Sequence, residues 1–147
     1  MHVRERAVIA APPERVFAWF DDIANASALV ANLIEVTEVE RLPNGGRRAV
    51  YRVATRTGEA DASSEHLVYD PPRRTVARGV QSGVTTTATR EFEPTPDGGT
   101  RVTATAEWDV PIRYVARLVT APLRGPIRRS LRDGLDAAKA ALDEPLR

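Results

Sequence analysis

Arg90, within VTTTATREFEP (Val84–Pro94), breaks the pattern of its own surroundings. Small or apolar residues alternate there with polar ones, as in a strand with one buried face. If Phe92 faces inward, then Arg90, Ala88, Thr86 and Val84 share its side, and a guanidinium lands among apolar groups. A charge placed there needs a partner, because burying it alone is costly. In a binding role, Arg90 anchors a carboxylate, carbonyl or phenolate. The structural alternatives are a bulge that turns it outward, or an ion pair with Glu65 or Asp61, which face inward if Leu67 does. Tyr51 reads inward with Ala49, Val53 and Thr55, because Arg48, Arg52 and Arg56 prefer water. Its hydroxyl either orients a polar ligand end or sits at the rim of a core. Trp108 continues the inward series Val102, Ala104, Ala106 as pocket wall or packing. Arg78, between Val76 and Val80, fits either face. The candidate ligand-contact set is therefore Tyr51, Arg78, Arg90, Phe92 and Trp108, joined by Leu118 and Pro122 from the C-terminal helical segment.

Other chemistries find little support. In SSEH (Ser63–His66), Ser64 and His66 share a strand face, but nothing marks a nucleophile elbow or an oxyanion loop, and no catalytic residue is assigned. The chain has no cysteine and two histidines, His2 and His66, so thiolate zinc and three-histidine metal sites are excluded. Neither a phosphate loop, a dinucleotide fingerprint nor a calcium loop is present, and no cofactor is expected. Arg113, Arg117, Arg124, Arg128 and Arg132 recur at helical multiples. That stripe reads as a solvated helix face rather than a nucleic-acid or membrane surface, since no aromatic residues interleave and the formal net charge is +1. Of the 21 Lys+Arg residues, all but Lys139 are arginine, which fits a coding bias. No apolar run approaches a membrane span or a secretory h-region, so a soluble cytoplasmic protein is expected.

The elements that must position these residues follow from periodicity. At 147 residues the chain is expected to be one domain, residues 1–147, able to bury its own core. Strand periodicity over His2–Ala10 gives way to helical spacing from Pro13 to Asp22. The switch falls on Pro12-Pro13, because proline ends a ladder yet suits the first helical turn. A second short helix is predicted over Ala26–Leu33. Period-two runs then cover Ile34–Leu42, Arg47–Thr57, Glu59–Tyr69, Arg74–Ser82, Val84–Pro94 and Thr100–Val110. Turn residues such as Asn44-Gly45-Gly46 and Asp97-Gly98-Gly99 punctuate them. From Ile112 to Leu142 the pattern is helical, with a bend or break expected at TAPLRGPIRR. An antiparallel sheet with one apolar face must cover it, and the terminal helix is the one long amphipathic element left. The predicted fold is thus α+β: a seven-stranded antiparallel sheet curved around a long, kinked C-terminal helix, with two short helices between the first two strands.

Three stretches in this order, IAAPPERVFAWFDD, YDPPRR and FEPTPDGGTRVT, resemble the START-like, or SRPBCC, helix-grip superfamily across essentially the whole chain. That superfamily includes polyketide cyclases/dehydrases and lipid-transfer proteins. The resemblance implies a cavity between sheet and helix that binds or transports a small hydrophobic molecule such as a lipid or polyketide. The alternatives are a polyketide cyclase/dehydrase-type enzyme and a protein-interaction module. DDIANASALVANLIEV lacks the Trp-Pro that aromatase/cyclase-like members usually carry after the Asp ending the first helix. The expected partner is a small hydrophobic ligand rather than nucleic acid or inserted membrane, and a homodimer is left open.

Overall fold

A computed structural model describes residues 1–108 and 121–143 of the chain; the side chains of residues 121–123 lie outside that description. Seven strands form one antiparallel sheet: β1 (His2–Ile9), β2 (Leu33–Arg41), β3 (Arg47–Thr55), β4 (Gly58–Asp70), β5 (Arg74–Gln81), β6 (Val84–Pro94) and β7 (Thr100–Trp108). Their order across the sheet is β1-β7-β6-β5-β4-β3-β2. Tight turns join β2 through β7 as a meander, so β1 and β2 lie at opposite edges. The chain must therefore travel the width of the sheet between them. Helices α1 (Pro13–Asp21) and α2 (Ala26–Leu29), with a turn of 3-10 helix over Ile23–Asn25, make that crossing.

The Pro12-Pro13 pair acts as the sequence predicts. Pro12 is the N-cap of α1 in extended conformation, Pro13 is its first residue, and the Pro12 carbonyl accepts from the Arg15 and Val16 amides. Helix α2 is shorter than its predicted span of Ala26–Leu33. It is capped at Val30 in extended conformation, Asn32 takes a left-handed φ of 60°, and Leu33 already pairs with Val53. The apolar spacing of Leu29, Val30 and Leu33 thus does not mark one helix. Leu29 packs against the main core, whereas Val30 and Leu33 pack against the cluster around Tyr51 and Val53.

Helix α3 (Ala121–Leu142) is helical without interruption through Pro126. The rest of the expected helix, residues 112–120, lies outside the described residues. Leu135, Ala138 and Leu142 from α3 join Ile9, Val16, Phe17, Phe20, Phe92 and Val102 in the main core. Full burial of a leucine such as Leu135 is worth about 1.5–3 kcal/mol. Ile127 and Leu131 cover Val3, Ala106 and Trp108. The described part of α3 thus packs chiefly on β1, with further contacts to β7, α1 and α2. It also shields the open edge of β1: Arg132 donates to the Arg6 carbonyl (3.2 Å) and Lys139 to the Val8 carbonyl (3.1 Å). Of the predicted basic stripe, Arg128 and Arg132 pair with Glu5 at 4.0 and 3.5 Å, which holds the helix to β1. Arg113 and Arg117 lie outside the described residues.

Candidate functional site

Strand pairing settles which side chains share the concave face. Phe92 is opposite Val102, both buried, so Arg90, Ala88 and Thr86 point the same way. Carrying that parity across the ladder puts Thr75, Ala77 and Gly79 of β5 on this face, followed by Ser64 and His66 of β4 and by Ala49 and Tyr51 of β3. The middle of this surface is a floor of small residues: Ser64, Ala77, Gly79, Thr86 and Ala88. All five are half-buried. Both flanks of this floor are packed by described residues. On one flank, Phe92 stands edge-on to Phe17 (5.3 Å between ring centroids) and to Phe20 (5.7 Å). On the other, Tyr51, Val53, Ala49 and Ala62 pack with Ala26 and Ile23.

Arg90 stands where floor meets aromatic flank. Its guanidinium carbon lies 5.1 Å from the Phe20 ring centroid, a cation–π contact. Among the described residues it makes no ion pair and no side-chain hydrogen bond. Burial pushes its pKa down to about 10; the nearby Tyr51 works against that shift and Arg47 adds to it. The expected pairing with Glu65 or Asp61 does not occur. Glu65 lies on the convex face, where it bonds Arg78 at 3.4 Å, and Asp61 is exposed. A bulge between His66 and Val68 breaks the alternation there and leaves Leu67 45% exposed, so Leu67 gives no guide to the inward face.

Arg78 is therefore corrected: it is exposed on the convex side, between inward Ala77 and Gly79, and does not face the floor. Tyr51 is 6% exposed with its hydroxyl 3.0 Å from Ser64 Oγ, so these two hydroxyls satisfy each other. Phe92 belongs to the aromatic flank. Trp108 is buried beside Val3 and Ala106, and its indole N–H has no hydrogen-bond partner among the described residues. Leu118 lies outside the described residues, as does the side chain of Pro122.

A second group closes the end of the floor beyond Arg90. Asp21, the last residue of α1, accepts from Tyr69 Oη at 2.7 Å and faces Arg47 Nη1 at 3.5 Å; Arg47 also donates to the Asp21 carbonyl. The Arg47 amide donates to His66 Nδ1 at 3.0 Å. That acceptor role leaves the imidazole neutral, with its proton on Nε2. Burial and, next, the Arg47 charge lower the His66 pKa, with Asp21 opposing. Burial and the bond to Asp21 raise that of Tyr69. The approach is close: a Cβ on Gly46 would come within 2.5 Å of His66 Cβ, so only glycine fits. Between this clasp and Arg90 lies a recess of about 10 Å³, bordered by Phe20, Asp21, His66, Thr75 and Arg90. It admits a single water-sized group.

Sequence reasoning missed the clasp. Its residues sit in the first helix and two strands, with Asp21 and Tyr69 separated by 48 positions. The FDD and YDPPRR stretches contain those two but read only as a helix end and a turn.

Among the described residues, no cluster of three or more His, Asp or Glu side chains is arranged to hold a metal. No described helix is long and apolar enough to cross a membrane. Compared with known proteins, residues 1–143 match the family model described as polyketide cyclase / dehydrase and lipid transport. No curated protein matches the chain. Among solved structures, the Zhui aromatase/cyclase from Streptomyces sp. R1128 is similar at 15% identity and TM-score 0.79, covering 100% of this chain and 96% of that one. A START superfamily protein from Mycobacterium smegmatis has 12% identity and TM-score 0.73, with 96% and 98% covered. A protein from Thermus thermophilus has 23% identity and TM-score 0.67, with 98% and 100% covered. At these identities the likeness shows the fold.

Proposed function

We propose that this chain, which belongs to the polyketide cyclase/dehydrase and lipid-transport family, binds a small hydrophobic molecule over the concave floor of its sheet. The observation that carries this reading is the floor itself: five adjacent small residues left half-buried between two packed flanks. Native cores are filled to near crystal density, and a run of small side chains between two flanks of bulky ones leaves room for a guest. Affinity comes from covering apolar surface, at about 25 cal/mol per Å². Orientation comes from the polar groups at the margins, Arg90 foremost and the Tyr51–Ser64 pair next.

Native mass spectrometry of freshly purified protein tests the reading. A retained small hydrophobic mass is the expected result. A bare chain that also gains no thermal stability from any member of a panel of lipids, sterols and aromatic polyketides would overturn it.

The second reading is a cyclase or dehydrase, favoured by the likeness to a solved aromatase/cyclase over the full chain. In it Arg90 polarises a substrate carbonyl and the floor folds the chain of a poly-β-ketone. Turnover assays of Arg90→Ala and Tyr51→Phe separate the two: rates equal to wild type remove these residues from any mechanism.

A further inference from the structure

We propose that the guest is a mono-anion: an apolar body carrying one carboxylate-type acid group, seated against the edge of the Arg90 guanidinium. This rests on the reading above, that the floor holds a hydrophobic molecule, and adds the chemistry of its polar end.

The charges facing the site point to it. Asp21 is engaged by Arg47 and Tyr69, and Glu5 by Arg128 and Arg132. The Tyr51 hydroxyl is engaged by Ser64. Among the described residues at the site, one full charge, that of Arg90, is left without a counter-ion. The Phe20 ring lies against the guanidinium and supplies only a cation–π contact, which leaves its N–H groups without acceptors there. Those groups form a planar fork that matches the two oxygens of a carboxylate. A neutral carbonyl would satisfy one or two N–H groups and leave the charge uncompensated in a half-buried site. A cationic head would be repelled by Arg90 and Arg47 together.

Size agrees with charge. The recess of about 10 Å³ beside Arg90 and Thr75 takes a head-group atom, not a ring system. One oxygen of the carboxylate therefore reaches the recess, on the Arg90 side away from the Arg47-paired Asp21, while the other stays on the guanidinium edge. The apolar body extends back over Ala88, Ala77 and Thr86, which lie on the same face of β5 and β6.

The test uses matched probes that differ only in charge: decanoate with methyl decanoate, and naphthoate with its methyl ester, titrated calorimetrically into the full chain. For at least one pair the acid is expected to bind about tenfold or more tightly than its ester, as an ion pair of this quality allows. Arg90→Gln should bring the acid down to the ester's affinity and leave the ester unchanged. Should that variant fail to fold, wild type still decides. Acid affinity falls about tenfold per pH unit below the acid's own pKa, roughly 4 to 5, while ester affinity does not follow that course. Acid and ester binding equally overturns the mono-anion and leaves the hydrophobic-guest reading standing. Neither member of either pair binding overturns both.

Discussion

Replacing Arg90 by Met should make the unliganded protein more stable while removing its preference for an acid. The guanidinium is held down near pKa 10, well below its ordinary value, chiefly by burial. That depression corresponds to roughly 3 kcal/mol of penalty on the charged form. Arg90 is only half-buried, so solvent screening cuts this to about 1.5 kcal/mol. Against it stands the Phe20 cation–π contact, worth about 0.5 kcal/mol at a partly exposed site. Relief of desolvation wins, and a thioether of similar length refills the space beside Phe20 and Phe92. The net gain is about 1 kcal/mol. In urea unfolding this reads as a midpoint raised by about 0.5 M at unchanged slope. The penalty is present below the folded pKa of about 10 and fades as pH rises above it and both states lose the proton. The advantage of Arg90→Met is therefore full at pH 7 and shrinks in strong alkali. A variant destabilised by about 1 kcal/mol or more at pH 7 would show that Arg90 is structurally paired, and the argument for an anion seat would fail with it.

The clasp and the convex face give three further expectations. His66 has a lowered pKa, so the unfolded chain takes up its proton first; its contribution is present above about pH 6.5 and lost as pH falls through the folded value. His66→Gln should flatten the decline in urea midpoint between about pH 7.5 and 5, and an unchanged decline would assign it to other groups. Gly46→Ala should cost about 2–3 kcal/mol by thermal or urea unfolding, through steric overlap with His66. His66→Ala should not rescue it, because the nearest atom is the Cβ that alanine keeps; full rescue would refute the contact. Arg78→Ala breaks only an exposed pair with Glu65, so stability should change by less than about 0.5 kcal/mol and ligand affinity not at all. A loss of affinity would return Arg78 to the site.

Much of the fold was legible because its signals are local. Alternation along Arg47–Thr55 and Thr100–Trp108 tracks the burial observed there, and the Pro12-Pro13 switch is a matter of one missing N–H and one fixed φ. Where two elements share one apolar spacing, as at Leu29, Val30 and Leu33, the pattern over-extends a helix. Where a bulge adds a residue, as at Leu67, parity stops carrying information past it, and the inward placement of Glu65 inferred from Leu67 fails.

By itself, then, the amino-acid order determined the succession of elements, the inward side of β3, β6 and β7, and the presence of an arginine among apolar neighbours. These depend on backbone sterics and on periods of 2 and 3.6 residues, which act over a few positions. Only the tertiary structure decided that Arg90 has no counter-ion among the described residues, that Arg78 is paired in solvent, and that Asp21, Arg47, His66 and Tyr69 meet. Whether a charge is paired depends on every chain segment that passes near it, and such proximity is created by folding across tens of residues.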